Sequence, residues 1–115
     1  MTDRQTLGRE AEGRAEAMLS AQGLTLVQRN YRCRGGEIDL IMRDRDHLVF
    51  VEVRYRSGAR HGGALASVDR NKQRRLITAA QHYLMTSSWT GPCRFDVVGL
   101  SASPTPQWVR DAFMA

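Results

Sequence analysis

Lysine is nearly absent from this chain: Lys72 stands alone beside sixteen arginines, and only two cysteines, Cys33 and Cys93, occur in 115 residues. The cysteines form no paired ligand motif with the three histidines, so a Cys/His metal site is not expected. They read as reduced thiols of a cytoplasmic protein. No apolar run approaches membrane-spanning length, and Met1–Glu10 lacks the apolar segment of a signal peptide. No membrane partner is expected. There is no internal repeat and no low-complexity tract, so residues 1–115 read as one domain with one core. Hydrophobic content of 42% and charged content of 25% are ordinary for a soluble globular protein. The formal charge of +5 favours an anionic partner such as nucleic acid.

The segment Gly36–Arg56, GEIDLIMRDRDHLVFVEVRYR, carries the most information. It reads as two strands, Glu37–Met42 and Leu48–Tyr55, joined by the polar turn Arg43–His47. A hairpin closing about Arg45-Asp46 places Asp39 opposite Glu52 and Glu37 opposite Arg54. Alternation then gives one apolar face of Ile38, Leu40, Met42, Val49, Val51 and Val53. The other face carries Glu37, Asp39, Glu52 and Arg54, with Ile41 and Phe50 nearer the turn. Opposed carboxylates lie about 5 Å apart at Cβ and repel. They share either a proton or a cation. Asp39, Glu52 and the Val53 carbonyl offer the oxygen donors that Mg²⁺ or Mn²⁺ prefers. A half-exposed hairpin with a Glu37–Arg54 pair is the plainer alternative, and it leaves the Asp39–Glu52 apposition unexplained.

Around the hairpin, Asp3–Gln22 reads as a helix with a stripe of Leu7, Ala11, Ala15 and Met18, stopped by Gly23. Glu12 flanks that stripe, placed either to reach over the sheet or to face water. Leu24–Cys33 reads as a first strand whose end is basic through Arg29, Arg32 and Arg34. Arg56–Ala66 is glycine-rich and reads as a loop, and its His61 has no ligand partner nearby. Asp69–Ser87 is a second helix capped by Asp69 or Ser67, with Leu76, Ala79, Ala80, Tyr83 and Leu84 as its apolar face. Arg70, Lys72, Arg74 and Arg75 crowd its first turns against the helix dipole, which a bound phosphate would relieve. A solvated basic face is the competing reading. His82 reads as a helix-surface residue. Gly91-Pro92 breaks the chain, Arg94–Leu100 is another strand, and Trp108–Phe113 closes it as an edge strand or a helix.

The segments GREAEGRAEAML, GEIDL, VFVEVR, VDRNKQRRL and RFDVV, in this order between Gly8 and Leu100, resemble the uncharacterised bacterial YraN family. The resemblance implies membership of the PD-(D/E)xK nuclease-like superfamily, similar to archaeal Holliday junction resolvases. It implies an α/β fold with a mixed sheet, restriction-endonuclease-like, in the order α-β-β-β-α-β with a short C-terminal strand in addition. Asp39, Glu52 and Arg54 would correspond to the metal and catalytic triplet, Glu12 to the helix-borne acid of the resolvases, and Lys72 to a lysine of the family's second helix. Arg54 stands where that pattern has lysine, and Ala11 where the family usually has glycine. The resemblance implies Mg²⁺- or Mn²⁺-dependent phosphodiester hydrolysis of DNA, branched DNA included, by a chain that could pair with a second copy. The alternatives are a nuclease fold that binds nucleic acid without cutting it, and a protein-interaction scaffold.

Overall fold

The computed structural model describes residues 4–55 and 63–115. Along the chain run α1 (Arg4–Ala21), β1 (Thr25–Cys33), β2 (Gly36–Asp44), β3 (His47–Tyr55), α2 (Gly63–Ala66), α3 (Arg70–Thr86), β4 (Cys93–Leu100) and β5 (Gln107–Phe113). The strands form one sheet in the order β1-β2-β3-β4-β5. Only β3 and β4 are parallel; the other neighbours are antiparallel. The mixed α/β class is therefore as expected, and the closing segment is a strand. No helix among the described residues is long and apolar enough to cross a membrane.

Each face of the sheet carries a core. Ala11, Ala15 and Leu19 of α1 pack on Leu40, Met42, Val49, Val51, Val98 and Leu100. Leu76, Ala79 and Ala80 of α3 pack on Ile41, Phe50, Phe95 and Val97 from the other side. The hairpin face read as polar is thus half core: Ile41 and Phe50 lie under α3. Five successive residues of β3 are buried, as expected for a central strand covered on both sides. Alternation also fails at one point. Ile38 sits in the α3-side core and Leu40 in the α1-side core, so the strand changes face across Asp39.

Helix α1 buries a narrower stripe than its sequence suggests. Ala11, Ala15 and Leu19 recur every four residues on the buried side, while Leu7 is exposed. Gly23 ends the helix with φ of 99°. The Leu24 N–H then donates to the Leu19 carbonyl at 3.0 Å, the six-residue closure that a left-handed residue permits. Helix α3 starts where its cap predicts: the Asp69 side chain accepts from the Lys72 N–H. The expected loop Arg56–Ala66 is corrected where it can be followed. Residues 56–62, with His61, lie outside the described residues, and Gly63–Ala66 is a helical turn. Tertiary docking holds this turn: the Ala64 N–H donates to Gln107 Oε1 at 2.7 Å, and an added Cβ on Gly99 would lie 2.6 Å from the Ala64 Cβ.

Gly36 fixes how close α3 comes to the sheet. A Cβ there would lie 2.1 Å from the Arg75 carbonyl oxygen and 3.0 Å from the Ala79 nitrogen. Both are helix backbone and cannot swing aside. Gly36→Ala is expected to lower stability by about 1–3 kcal/mol or more, the range of an overpacked core. Urea unfolding measures it, and a loss below about 0.5 kcal/mol would show that α3 can lift without penalty.

Candidate functional site

Past Leu40 and Val51, the last paired residues of the hairpin, β2 and β3 separate. β3 stays in register with β4 as far as Tyr55 and Leu100. The Val53 N–H, released from β2, donates instead to Asp39 Oδ2 at 2.8 Å. From Leu40–Val51 to Asp44–His47 the hairpin keeps the register expected for closure about Arg45-Asp46. Asp39 and Glu52 are the next opposed residues beyond it, and each carboxyl acts on the other's titration. Two acids held that close share a proton or a cation. Glu52 is only 3% exposed. Burial first, and then the Asp39 charge, push its carboxyl from an ordinary 4.5 up to about 8, against the pull of Lys72 and Arg54. Asp39 is also shifted upward, by burial first, while the Val53 N–H holds it down.

Two cations meet Glu52. Arg54 Nη1 lies 3.4 Å and Lys72 Nζ 3.7 Å from the same oxygen, Oε2. The Glu37–Arg54 pair of the plainer alternative is not formed. The strands have parted at that level, so Arg54 folds back along its own strand to Glu52. Glu37 is met by Arg32 at 3.6 Å and Arg75 at 3.9 Å.

Glu12 does reach toward the sheet rather than only toward water. It is half-buried, and burial and the Asp39 and Glu37 charges shift its carboxyl upward while a hydrogen bond to Asn30 opposes them. Among the described residues no three Asp, Glu, His or Cys side chains gather as one metal-binding group. The acids form a pair, Asp39 and Glu52, with Glu12 in its field. The basic cluster of α3 also divides. Lys72 and Arg75, three residues apart on one side, face the acids, whereas Arg74 bonds Asn71 and Arg70 is exposed. The Lys72 N–H is taken by Asp69, so its side chain and not that N–H is offered to a ligand.

Two residues of this region escaped the sequence reading. Asn30 has φ of 52° within β1. The ladder pairs Arg29 with Leu40 and Tyr31 with Ile38, so Asn30 sits opposite Asp39 at a break in pairing. Asparagine inside a strand was the available signal, because it tolerates the left-handed region. Asp96 is the other, a buried carboxylate in β4 bonded to Arg94, Trp108 and the Asp111 N–H. Nothing in RFDVV distinguishes it from a solvent-facing acid.

The family model of Uncharacterised protein family UPF0102 matches residues 11–100. UPF0102 protein MCA0184 of Methylococcus capsulatus is 56% identical over 111 residues, covering 94% of this chain and 90% of its own. A UPF0102 protein of Alcanivorax borkumensis is 50% identical over 119 residues, covering 98% and 95%. UPF0102 protein RALTA_A3032 of Cupriavidus taiwanensis is 57% identical over 113 residues, covering 97% and 86%. The chain belongs to the UPF0102 family, the YraN family that its motifs resemble.

Proposed function

We propose that Asp39 and Glu52, with the Val53 carbonyl, hold Mg²⁺ or Mn²⁺ in a site that hydrolyses phosphodiesters of DNA, branched DNA included. One observation carries this reading: a carboxyl group 3% exposed lies within the field of a second acid, Asp39, while two cations converge on it. A structural ion pair needs one acid, and the second only adds repulsion. The donor chemistry fits a hard divalent ion, which takes carboxylate and carbonyl oxygens and replaces the shared proton. Val53 suits this, because in an extended strand the C=O faces the same neighbour as the N–H. When bound, such an ion supplies charge to a phosphoryl oxygen and acidifies a water.

The chain's own residues do the rest. Lys72 brings an ammonium from α3 to Glu52, the place where the superfamily pattern carries lysine on the strand. A compact ammonium can neutralise charge growing on a phosphoryl oxygen. Arg54 supplies a second positive charge as a planar fork that stays protonated. A nucleic-acid-binding module without catalysis is the second reading, favoured by the acids forming a pair and no more among the described residues.

The test is the initial rate of cleavage of a labelled junction DNA with Mn²⁺. The natural protein is expected to cleave slowly, Arg54→Lys faster, and Asp39→Asn slower by about 10²-fold or more, the usual loss for one charge-stabilising group. Lys72→Ala should also be slower. Metal binding is read separately from the melt, since a ligand at a hundred times its dissociation constant adds about 2.7 kcal/mol. Folded, metal-bound protein that leaves the junction intact, with Arg54→Lys inactive too, would hand the site to the second reading.

A further inference from the structure

Beside the carboxylate pair, on the α1 side of the sheet, lies an open groove lined by Gly8, Arg9, Glu12, Asn30 and Arg32. It is continuous with the site through two residues. Asn30 stands opposite Asp39 where the β1–β2 ladder is interrupted, and it shares the groove lining with Glu12, whose pKa it holds down. Glu37 joins the two sides: Arg32 of β1 and Arg75 of α3 both approach it. The mouth of the sheet is therefore a seam of four acids, Glu12, Glu37, Asp39 and Glu52, with cations on both banks.

A polyanion crossing that seam is repelled by its floor and needs cations on either side. Lys72 and Arg75 supply one bank. Arg9 and Arg32 supply the other, and both are exposed. The Arg32 side chain is 75% exposed and its Nε lies 3.6 Å from Glu37, a pair worth about 0–1 kcal/mol. A phosphate can take it over at little cost. The groove is also open above Gly8, where an added Cβ would meet nothing within 4 Å.

We propose that this groove is a second phosphate-binding bank, so that a nucleic-acid backbone crosses the sheet mouth with one phosphate on Arg9 and Arg32 and another on Lys72 and Arg75. This rests on reading the Asp39–Glu52 pair as a phosphodiester site, and it extends the contact surface from α3 to α1 and β1.

The experiment is fluorescence anisotropy of the full chain with a labelled DNA duplex, without divalent metal, across a range of salt concentrations. Arg9→Ala/Arg32→Ala and Lys72→Ala/Arg75→Ala are each expected to flatten the log–log slope by about 1.8, two contacts at about 0.9 each. Arg45→Asn, at the far turn of the hairpin, should keep the natural slope. Melting curves of each variant confirm folding. A natural slope in Arg9→Ala/Arg32→Ala overturns the proposal, as does equal flattening by Arg45→Asn, which would mean net charge alone. Absence of any salt-dependent binding by the natural protein overturns it as well. An RNA duplex of the same sequence runs in parallel, and the tighter of the two identifies the source of the backbone. Flattened slopes without metal-dependent cleavage uphold the groove and remove the hydrolytic reading; cleavage with unchanged slopes does the reverse.

Discussion

Replacing Arg94 with alanine is expected to cost the fold about 3–5 kcal/mol, the usual penalty for stripping a buried ion pair of one partner. Arg94 lies between Asp44, at 2.9 Å, and Asp96, at 3.0 Å, with its side chain 13% exposed. Its Nε and Nη2 grip both carboxylate oxygens of Asp96. Asp96 also accepts from Trp108 Nε1 at 2.9 Å and from the Asp111 N–H at 3.0 Å. One arginine thus ties β2 and β4 together, and its carboxylate partner holds β5. Without it, Asp96 keeps two N–H donors but loses its countercharge. Small domains are often stable by only about 5–15 kcal/mol, so the loss is a large share of the total. Arg94→Lys keeps the charge without the fork and should lose less. In the Arg94→Ala background, Asp96→Asn should restore part of the stability, because it removes the stranded charge. Urea unfolding of the four proteins decides this. A loss below about 1 kcal/mol in Arg94→Ala, as for an exposed pair, would sink the argument.

That network also marks where sequence reasoning stops. The register of the central hairpin was legible because a two-residue turn and alternating apolar residues from Leu40 to Val51 leave little choice, and Asp44 does pair with His47 across it. Asp39 and Glu52 followed from the register alone. Asp69 announced its cap because a short acid just before an apolar run has a local job. What failed depended on distant partners. Ile41 and Phe50 looked stranded on a polar face because only α3, some thirty residues later, covers them. The Glu37–Arg54 pair was a local expectation that the parting of β2 from β3 defeats. Four residues of α2 have too few hydrogen bonds to be read from propensity; Gln107 and Gly99 hold them. The cations on either side of the acids come from α1, β1 and α3, whose convergence no spacing announces.

Stability of the metal-free protein is expected to fall as pH rises from about 5 to 8.5, and Glu52 is the main cause. Its carboxyl sits at about 8 in the fold against an ordinary 4.5. Between those values the native state holds a proton that the unfolded chain releases. Stability contributed by that proton is therefore fully present below 4.5 and lost as pH climbs through 8. At about 1.4 kcal/mol per pH unit the loss amounts to roughly 3–5 kcal/mol. Asp39 and Glu12, both shifted upward, slope the same way. Glutamine copies the shape of the protonated acid and cannot ionise. Glu52→Gln should thus match the natural protein near pH 5 and exceed it at pH 8.5 when a chelator is present. Mg²⁺ or Mn²⁺ at pH 8.5 should then raise the natural protein far more than the variant, because the ion takes the place of the proton between Asp39 and Glu52. Urea unfolding at the two pH values, with chelator or metal, separates these effects. Stability of the natural protein that is flat or rising over this range would remove the buried acid pair from the account. A Glu52→Gln protein less stable than the natural one at pH 8.5 in chelator would show instead that Lys72 and Arg54 hold Glu52 charged, as an ion pair rather than a site waiting for a cation.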